Sequence, residues 1–289
     1  MVSLPAFFAP CQALVSQALN GFLPSPSNAP APVTEAMRYT LLAPSKRVRA
    51  VLVLLAAEFC GDQSRALPAA CAIEAVHAAS LMLDDLPMMD DAPLRRGRPS
   101  AHAVFGEAVT ILAAFGLLNE TFRHLANRYE PALAQRLTSL VADAVGEDGL
   151  IAGQAEDVLA TDDVITFETL ERIHRRKTGV LFGAAATAGA LTAGGRSEDI
   201  AALHAYAKNL GLAFQIVDDL LDVTGTPEET GKAVRRDARK MTFVSFSGVD
   251  GARELASELC RTAQAALAPF GRRAARLDEL AEFVAARRL

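Results

Sequence analysis

Two clusters of aspartates, each set in an apolar, helix-like run, limit what this chain can fold into more than any other feature. The first reads Asp84-Asp85-Leu86-Pro87-Met88-Met89-Asp90-Asp91 and follows SLML; the second, Asp218-Asp219-Leu220-Leu221-Asp222, follows LAFQIV. Carboxylates crowded among Leu, Met, Val and Ile repel one another and lose hydration, so they are stable there only with a cation between them. Two such clusters facing each other would hold a hard divalent metal with room for a polyanion. A fold is therefore required that brings two distant helical segments to one mouth.

On a helix, Asp218 and Asp222 lie one above the other, with Gln215 on nearly the same face. Asp219 is turned about 100° away and is expected to support rather than lead. A lone acidic pair of this kind is more often a solvated face, but the apolar flanks point to burial or a cavity wall. Asp84 and Asp90 would fall on different faces of a straight helix. Pro87 is expected to end the helix after Asp85 and let the chain turn Asp90 back towards Asp84.

Cations accompany the acids. Leu94-Arg95-Arg96-Gly97-Arg98-Pro99 follows the first cluster directly, and the arginine fork matches phosphate oxygens in pairs. Lys46 and Arg49 sit three apart at a helix start, Lys177-Thr178 precedes another helix, and Lys232 and Lys240 come after the second cluster. Singly, each reads as a solvated surface residue. With the aspartates they describe a pocket for a magnesium diphosphate and a further anion.

The rest of the chain reads as helix. Hydrophobic residues make up 51% and aromatics 6%, without Trp, and the abundance of Ala and Leu favours helix over sheet. Candidate helices run near 34–42, 46–60, 67–84, 101–127, 131–145, 148–160, 166–174, 178–194, 197–223, 250–268 and 274–287, after a short N-terminal helix and a Pro/Ser-rich loop at 24–33. No alternation suggests a strand and no signal suggests a β-hairpin. The expectation is one all-α domain over residues 1–289. A net charge of -5 gives no reason to expect nucleic acid as a partner. The apolar stretch 180–195 is short of the roughly 18 residues of a spanning helix, so no membrane span is expected. Cys11, Cys60, Cys71 and Cys260 form no CxxC pair and no zinc spacing. They are expected to be reduced thiols, and with no secretory leader recognisable the expected location is cytoplasmic.

The run HAASLMLDDLPMMDDAPLRRGRP, with FQIVDDLLD downstream, resembles the trans-polyprenyl diphosphate synthases, the short-chain isoprenyl diphosphate synthase family. The likeness extends from about Lys46 to Lys240, with the RRG, Lys-Thr and Gly-Lys elements in order. It implies a helical bundle around a deep central cavity, a homodimer, and Mg²⁺, three ions bridging an allylic diphosphate. Asp84 and Asp90 would bind metal from one side and Asp218 from the other, while Asp85, Asp219 and Asp222 act through water or orient the ligands. Arg95, Lys177 and Lys232 would hold the allylic diphosphate (dimethylallyl, geranyl or farnesyl). Lys46, Arg49, His77 and Arg96 would hold isopentenyl diphosphate. Thr178 and Gln215 would place oxygen dipoles beside the developing cation. The implied reaction is a head-to-tail (1'-4) condensation in which released diphosphate takes the proton.

The chain departs from the family pattern at Pro44-Ser45, where Gly-Gly is usual, at Ala50 for Pro, at Ala113-Ala114 for Gly-Asp, and at Met241 in Lys-Ser-Thr. None of these removes an expected metal ligand. The resemblance also runs the growing tail down the helix of Asp84, with Ala79 and Ser80 as its floor. Both are small, and the first cluster carries two extra residues, as in bacterial and plant geranylgeranyl diphosphate synthases, so a twenty-carbon product is expected. A fifteen-carbon product is the alternative. A terpene cyclase normally replaces the second cluster and has no use for Lys46 and Arg49. An inactive subunit usually loses a cluster or the arginines.

Overall fold

In the computed structural model, residues 5–23, 30–160, 165–224 and 241–286 are described, and the chain is about 79% helical. The order is α1 (Phe8–Leu19), α2 (Ala31–Leu41), α3 (Val48–Phe59) and α4 (Leu67–Asp84). Two two-residue strands follow, β1 (Leu94–Arg95) and β2 (Arg98–Pro99). Then come α5 (Ala101–Phe105), α6 (Glu107–Arg128), α7 (Pro131–Val145), α8 (Leu150–Leu159) and α9 (Phe167–His174). A π-helical turn (Arg175–Gly179) leads into α10 (Val180–Thr192), α11 (Ser197–Thr224), α12 (Phe243–Leu267) and α13 (Ala275–Ala286).

Burial follows composition. The middle of α3, most of α4 and nearly all of α10 are apolar on every side and lie inside the bundle, as helices without a polar face must. Helix α4 packs on α6, α3 on α10, and α11 on both α10 and α12. By length and composition α4 would also cross a membrane, but most of it is core here. All four cysteines are free thiols, and burial pushes Cys71 and Cys260 up to about 12.

Three expectations are corrected. The helix foreseen at 101–127 is broken at Gly106 (φ 81°, ψ 158°), a conformation open to glycine and strained for other residues. The helix foreseen from 178 is preceded by the π-helical turn. A β-hairpin exists where none was foreseen: Leu94 pairs with Pro99 and Arg95 with Arg98. Its turn, Arg96-Gly97, takes positive φ at both residues (55° and 73°), the tight-hairpin geometry that glycine favours. Strands of two residues are too short to show alternation.

Candidate active site

The first aspartate cluster folds back on the end of α4. The helix stops at Asp84 with Asp85 as its C-cap. The amide of Asp90 then donates to the Asp84 carbonyl (2.9 Å), that of Asp91 to Leu86 (3.1 Å) and that of Ala92 to Asp85 (3.1 Å). Asp90 thus returns to Asp84, as Pro87 led one to expect. Asp85 is buried and accepts from Arg95, through Nε to Oδ1 (2.9 Å) and Oδ2 (3.2 Å) and through a short Nη2 contact. Burial, with Asp90 and Asp85 nearby, pushes the Asp84 carboxyl up to about 6, against the pull of Lys177 and Arg95. Arg98, third of the arginines, stacks on the Tyr39 ring at 4.0 Å and is spent on structure.

The second cluster separates its acids by the predicted rotation. Asp218 and Asp222 are half-buried, whereas Asp219 is buried. Asp219 accepts from Gln215 Nε2 (2.9 Å) and from the amide of Phe243, the first residue of α12 (3.2 Å). Gln215 Oε1 in turn accepts from Thr178 Oγ1 at 3.0 Å. Asp219 therefore fixes the Gln215 amide, and that amide fixes the Thr178 hydroxyl.

Lys177 stands in the π-helical turn and donates to Asp157 Oδ2 on α8 at 2.7 Å. Burial opposes its charge, but Asp84, Asp157 and Asp90 outweigh burial and raise its pKa. The turn lies so close to α8 that a Cβ on Gly153 would sit 2.3 Å from the Lys177 nitrogen. Neither Asp157 nor Gly153 was foreseen. The only signal was the spacing within Gly153-Gln154-Ala155-Glu156-Asp157, which puts both on one face of α8 a turn apart. Asp157→Asn is expected to lower kcat/KM about tenfold, since groups that orient a binding residue typically matter by 10–100-fold. Steady-state rates with each substrate varied check this, and rates equal to the parent's would remove Asp157 from the site.

A second bank of cations lies beside α4. Arg49, in the first turn of α3, stacks over Phe182 at 4.7 Å, and its Nη1 lies 3.4 Å from His77 Nε2. Guanidinium can only donate, so His77 accepts and is neutral. Burial, then Arg49, Arg96 and Arg95, hold the imidazole well below its usual range. Burial brings Arg49 down to about 10, with Glu74 and Asp218 sustaining its charge and Arg96 opposing. Lys46 is exposed on the loop before α3, and Arg96 is half-buried in the hairpin turn. Lys232 lies outside the described residues, as does Lys240. On α4, His77, Ser80, Leu81 and Asp84 are half-buried, forming one open strip, while Ala79 is fully buried.

Each aspartate cluster acts on its own cation. Asp84 and Asp90 act on Lys177, and Asp218, from the other cluster, acts on Arg49 beside His77. Among the described residues no three His, Cys, Asp or Glu side chains gather as a ready ligand set, so Asp84, Asp90 and Asp218 are not brought together as one cluster. The donors are carboxylate oxygens, and Asp84 is a half-buried, poorly hydrated acid that a cation would relieve, so the residues fit a hard ion such as Mg²⁺.

A family model described as polyprenyl synthetase matches residues 30–266. The mitochondrial geranylgeranyl pyrophosphate synthase 6 of Arabidopsis thaliana is 47% identical over 252 residues, 82% of this chain and 74% of its own. The chloroplastic large subunit 1 of the heterodimeric geranylgeranyl pyrophosphate synthase of the same plant is 43% identical over 287 residues, 95% and 76% respectively. Among solved structures, the geranyltransferase of Helicobacter pylori, complexed with magnesium and isoprenyl diphosphate, superposes with a TM-score of 0.83 at 29% identity, covering 99% of this chain and 98% of that one. The chloroplastic and mitochondrial relatives overturn the cytoplasmic expectation. Unbridged cysteines argue against an oxidising compartment and do not choose among reducing ones.

Proposed function

The chain belongs to the polyprenyl synthetase family and is a prenyltransferase, and from that premise we propose that it condenses isopentenyl diphosphate with allylic diphosphates, head to tail (1'-4), to give geranylgeranyl diphosphate. The observation that carries this reading is that each aspartate cluster acts on a cation of its own: Asp84 and Asp90 on Lys177, and Asp218 on Arg49 beside His77. A site that must hold two diphosphates and their metals needs both signs of charge interleaved in this way.

The family is magnesium-dependent, and in this reading Asp84, Asp90 and Asp218 would hold the Mg²⁺. Bound Mg²⁺ neutralises the allylic diphosphate and makes it a good leaving group. Asp85 occupies the Nε and Nη2 edge of Arg95, which orients the guanidinium towards the same diphosphate with Lys177 and, outside the described residues, Lys232. Asp222 orients bound water. Lys46, Arg49, His77 and Arg96 hold isopentenyl diphosphate. Thr178 donates its hydroxyl hydrogen bond to Gln215, so its oxygen lone pairs are left to stabilise the allylic cation formed when the carbon–oxygen bond breaks. The isopentenyl double bond attacks that cation, and the departing proton goes to the released diphosphate. No protein base is needed.

Product analysis tests this. Purified protein receives Mg²⁺, labelled isopentenyl diphosphate and dimethylallyl, geranyl or farnesyl diphosphate in turn. A main product of twenty carbons, abolished by EDTA, is expected. A fifteen-carbon product would overturn the product assignment, and no condensation with any primer would overturn the reaction.

The partner is a second copy of the chain, bound through the face of α5 and α6 that leaves Val104, Leu112 (57% exposed) and Phe115 (62% exposed) in water. Apolar side chains grouped in this way mark association surfaces. Phe115→Asp is expected to shift the protein to monomer in sedimentation, and a parent that sediments as a monomer would refute the pairing.

A further inference from the structure

The junction of the Lys46 loop with the Arg49 turn of α3 is tied to α4 by a buried ion pair that no site role explains. Arg47 is 4% exposed and Glu74 2%. Arg47 precedes α3 with φ 54°, a left-handed conformation that a non-glycine residue keeps only where its surroundings hold it. Its Nη1 donates to Glu74 Oε1 at 2.9 Å, and its Nη2 to the carbonyls of Leu41 (2.7 Å) and Ala43 (2.9 Å). These carbonyls lie at the end of α2, where a helix needs outside donors. Ser45, where the family pattern has glycine, places Oγ 3.4 Å from the same Glu74 oxygen, and its carbonyl accepts from Gln12 of α1 at 2.6 Å.

One side chain thus joins the end of α2, the start of α3 and the middle of α4. Lys46 lies between Ser45 and Arg47, Arg49 two residues on, and His77 one turn after Glu74. We infer that Arg47 and Glu74, assisted by Ser45, are positioning residues for isopentenyl diphosphate, setting the register between the α3 end that presents Lys46 and Arg49 and the α4 face that presents His77. This rests on the assignment of those three residues proposed above. A buried ion pair is a poor source of stability, since apolar side chains of like volume often do as well, and fixing a register is its best-attested use. Glu74 also heads the groups that sustain charge on Arg49 and Arg96, against their burial.

Steady-state kinetics of the full chain, with isopentenyl and farnesyl diphosphate varied separately, test this. Charge alone predicts that Glu74→Gln, by removing an anion, lowers KM for isopentenyl diphosphate. Positioning predicts the reverse, a rise of about tenfold, with the allylic KM and kcat changed less than about threefold, as expected for a small misplacement of binding groups. Because Glu74→Gln strands Arg47, the double variant Arg47→Met with Glu74→Leu fills the same space without charge. It is expected to fold and to show the same raised KM. Lys46→Ala and Arg49→Ala, in the same assay, report on the subsite itself. If these two raise KM for isopentenyl diphosphate while the Glu74 variants leave or lower it, the positioning role is overturned and the subsite stands. If neither raises it, the subsite assignment fails and takes the inference with it.

Discussion

Asp84→Asn is expected to cost about three orders of magnitude in kcat while raising the Tm of the metal-free protein. The amide keeps the volume and loses the anionic oxygen. Metal-borne charge stabilisation is worth several kcal/mol, and each ~1.4 kcal/mol is tenfold in rate. The stability gain follows from the same burial. In the unfolded chain this acid titrates near 3.8, and in the folded protein it is raised to about 6 by desolvation and by Asp90 and Asp85. The folded state therefore binds the proton more tightly. Its penalty is absent below the lower value, grows between the two and is complete above the upper. Thermal melts in EDTA should show Asp84→Asn gaining at pH 7 and not at pH 3.5. Asp219→Asn should behave in the opposite way, because that carboxylate accepts from Gln215 and from the first amide of α12. A stability loss of roughly 1–3 kcal/mol with a smaller loss of kcat is expected there. Equal rate losses in the two variants would erase the distinction between ligand and support.

The different burial of the second cluster's acids was legible in the sequence, because rotation around a helix is fixed: Asp219 had to leave the face shared by Asp218 and Asp222, and it is buried where they are half-buried. Pro87 likewise dictated the end of α4 and the return of Asp90. Local geometry decides such features. What escaped the sequence depends on contacts between distant segments. Arg95 could be recognised as a phosphate-type cation, but not as the clamp on Asp85, since the hairpin that aims it has strands too short to leave a pattern. Asp157 is one of two adjacent acids on α8, and only the approach of the π-helical turn singles it out. Glu74 did leave a trace: with His77 and Asp84 it is one of the ionisable side chains in the otherwise apolar run of α4. Its partner Arg47, between Lys46 and Arg49, carried no expectation of its own. Compartment was misread for a simpler reason, as thiol chemistry reports redox state and not address.

Ser80→Phe is expected to shorten the product from twenty carbons to fifteen without harming the fold, and Ala79→Phe to do so only at a cost in stability. Both positions were expected to form the floor beneath Asp84, but they are not equivalent. Ser80 lies four residues before Asp84 on the half-buried strip with His77 and Leu81, and its hydroxyl donates to the His77 carbonyl at 3.0 Å. A ring there projects along the path open to the tail. Ala79 is wholly enclosed. A phenyl group at that position must first displace packed neighbours, an overpacking cost of about 1–3 kcal/mol, or roughly 2–4 °C in Tm for each kcal/mol in a chain of this size. Chain-length separation of dephosphorylated products, read beside thermal melts of the same preparations, distinguishes the two. A shift in Ser80→Phe at unchanged Tm would place the tail on the open strip of α4. A shift only in Ala79→Phe would move the tail to the enclosed face, which must then open when the substrate enters. Twenty-carbon product from both variants would mean that the tail does not follow α4 at all.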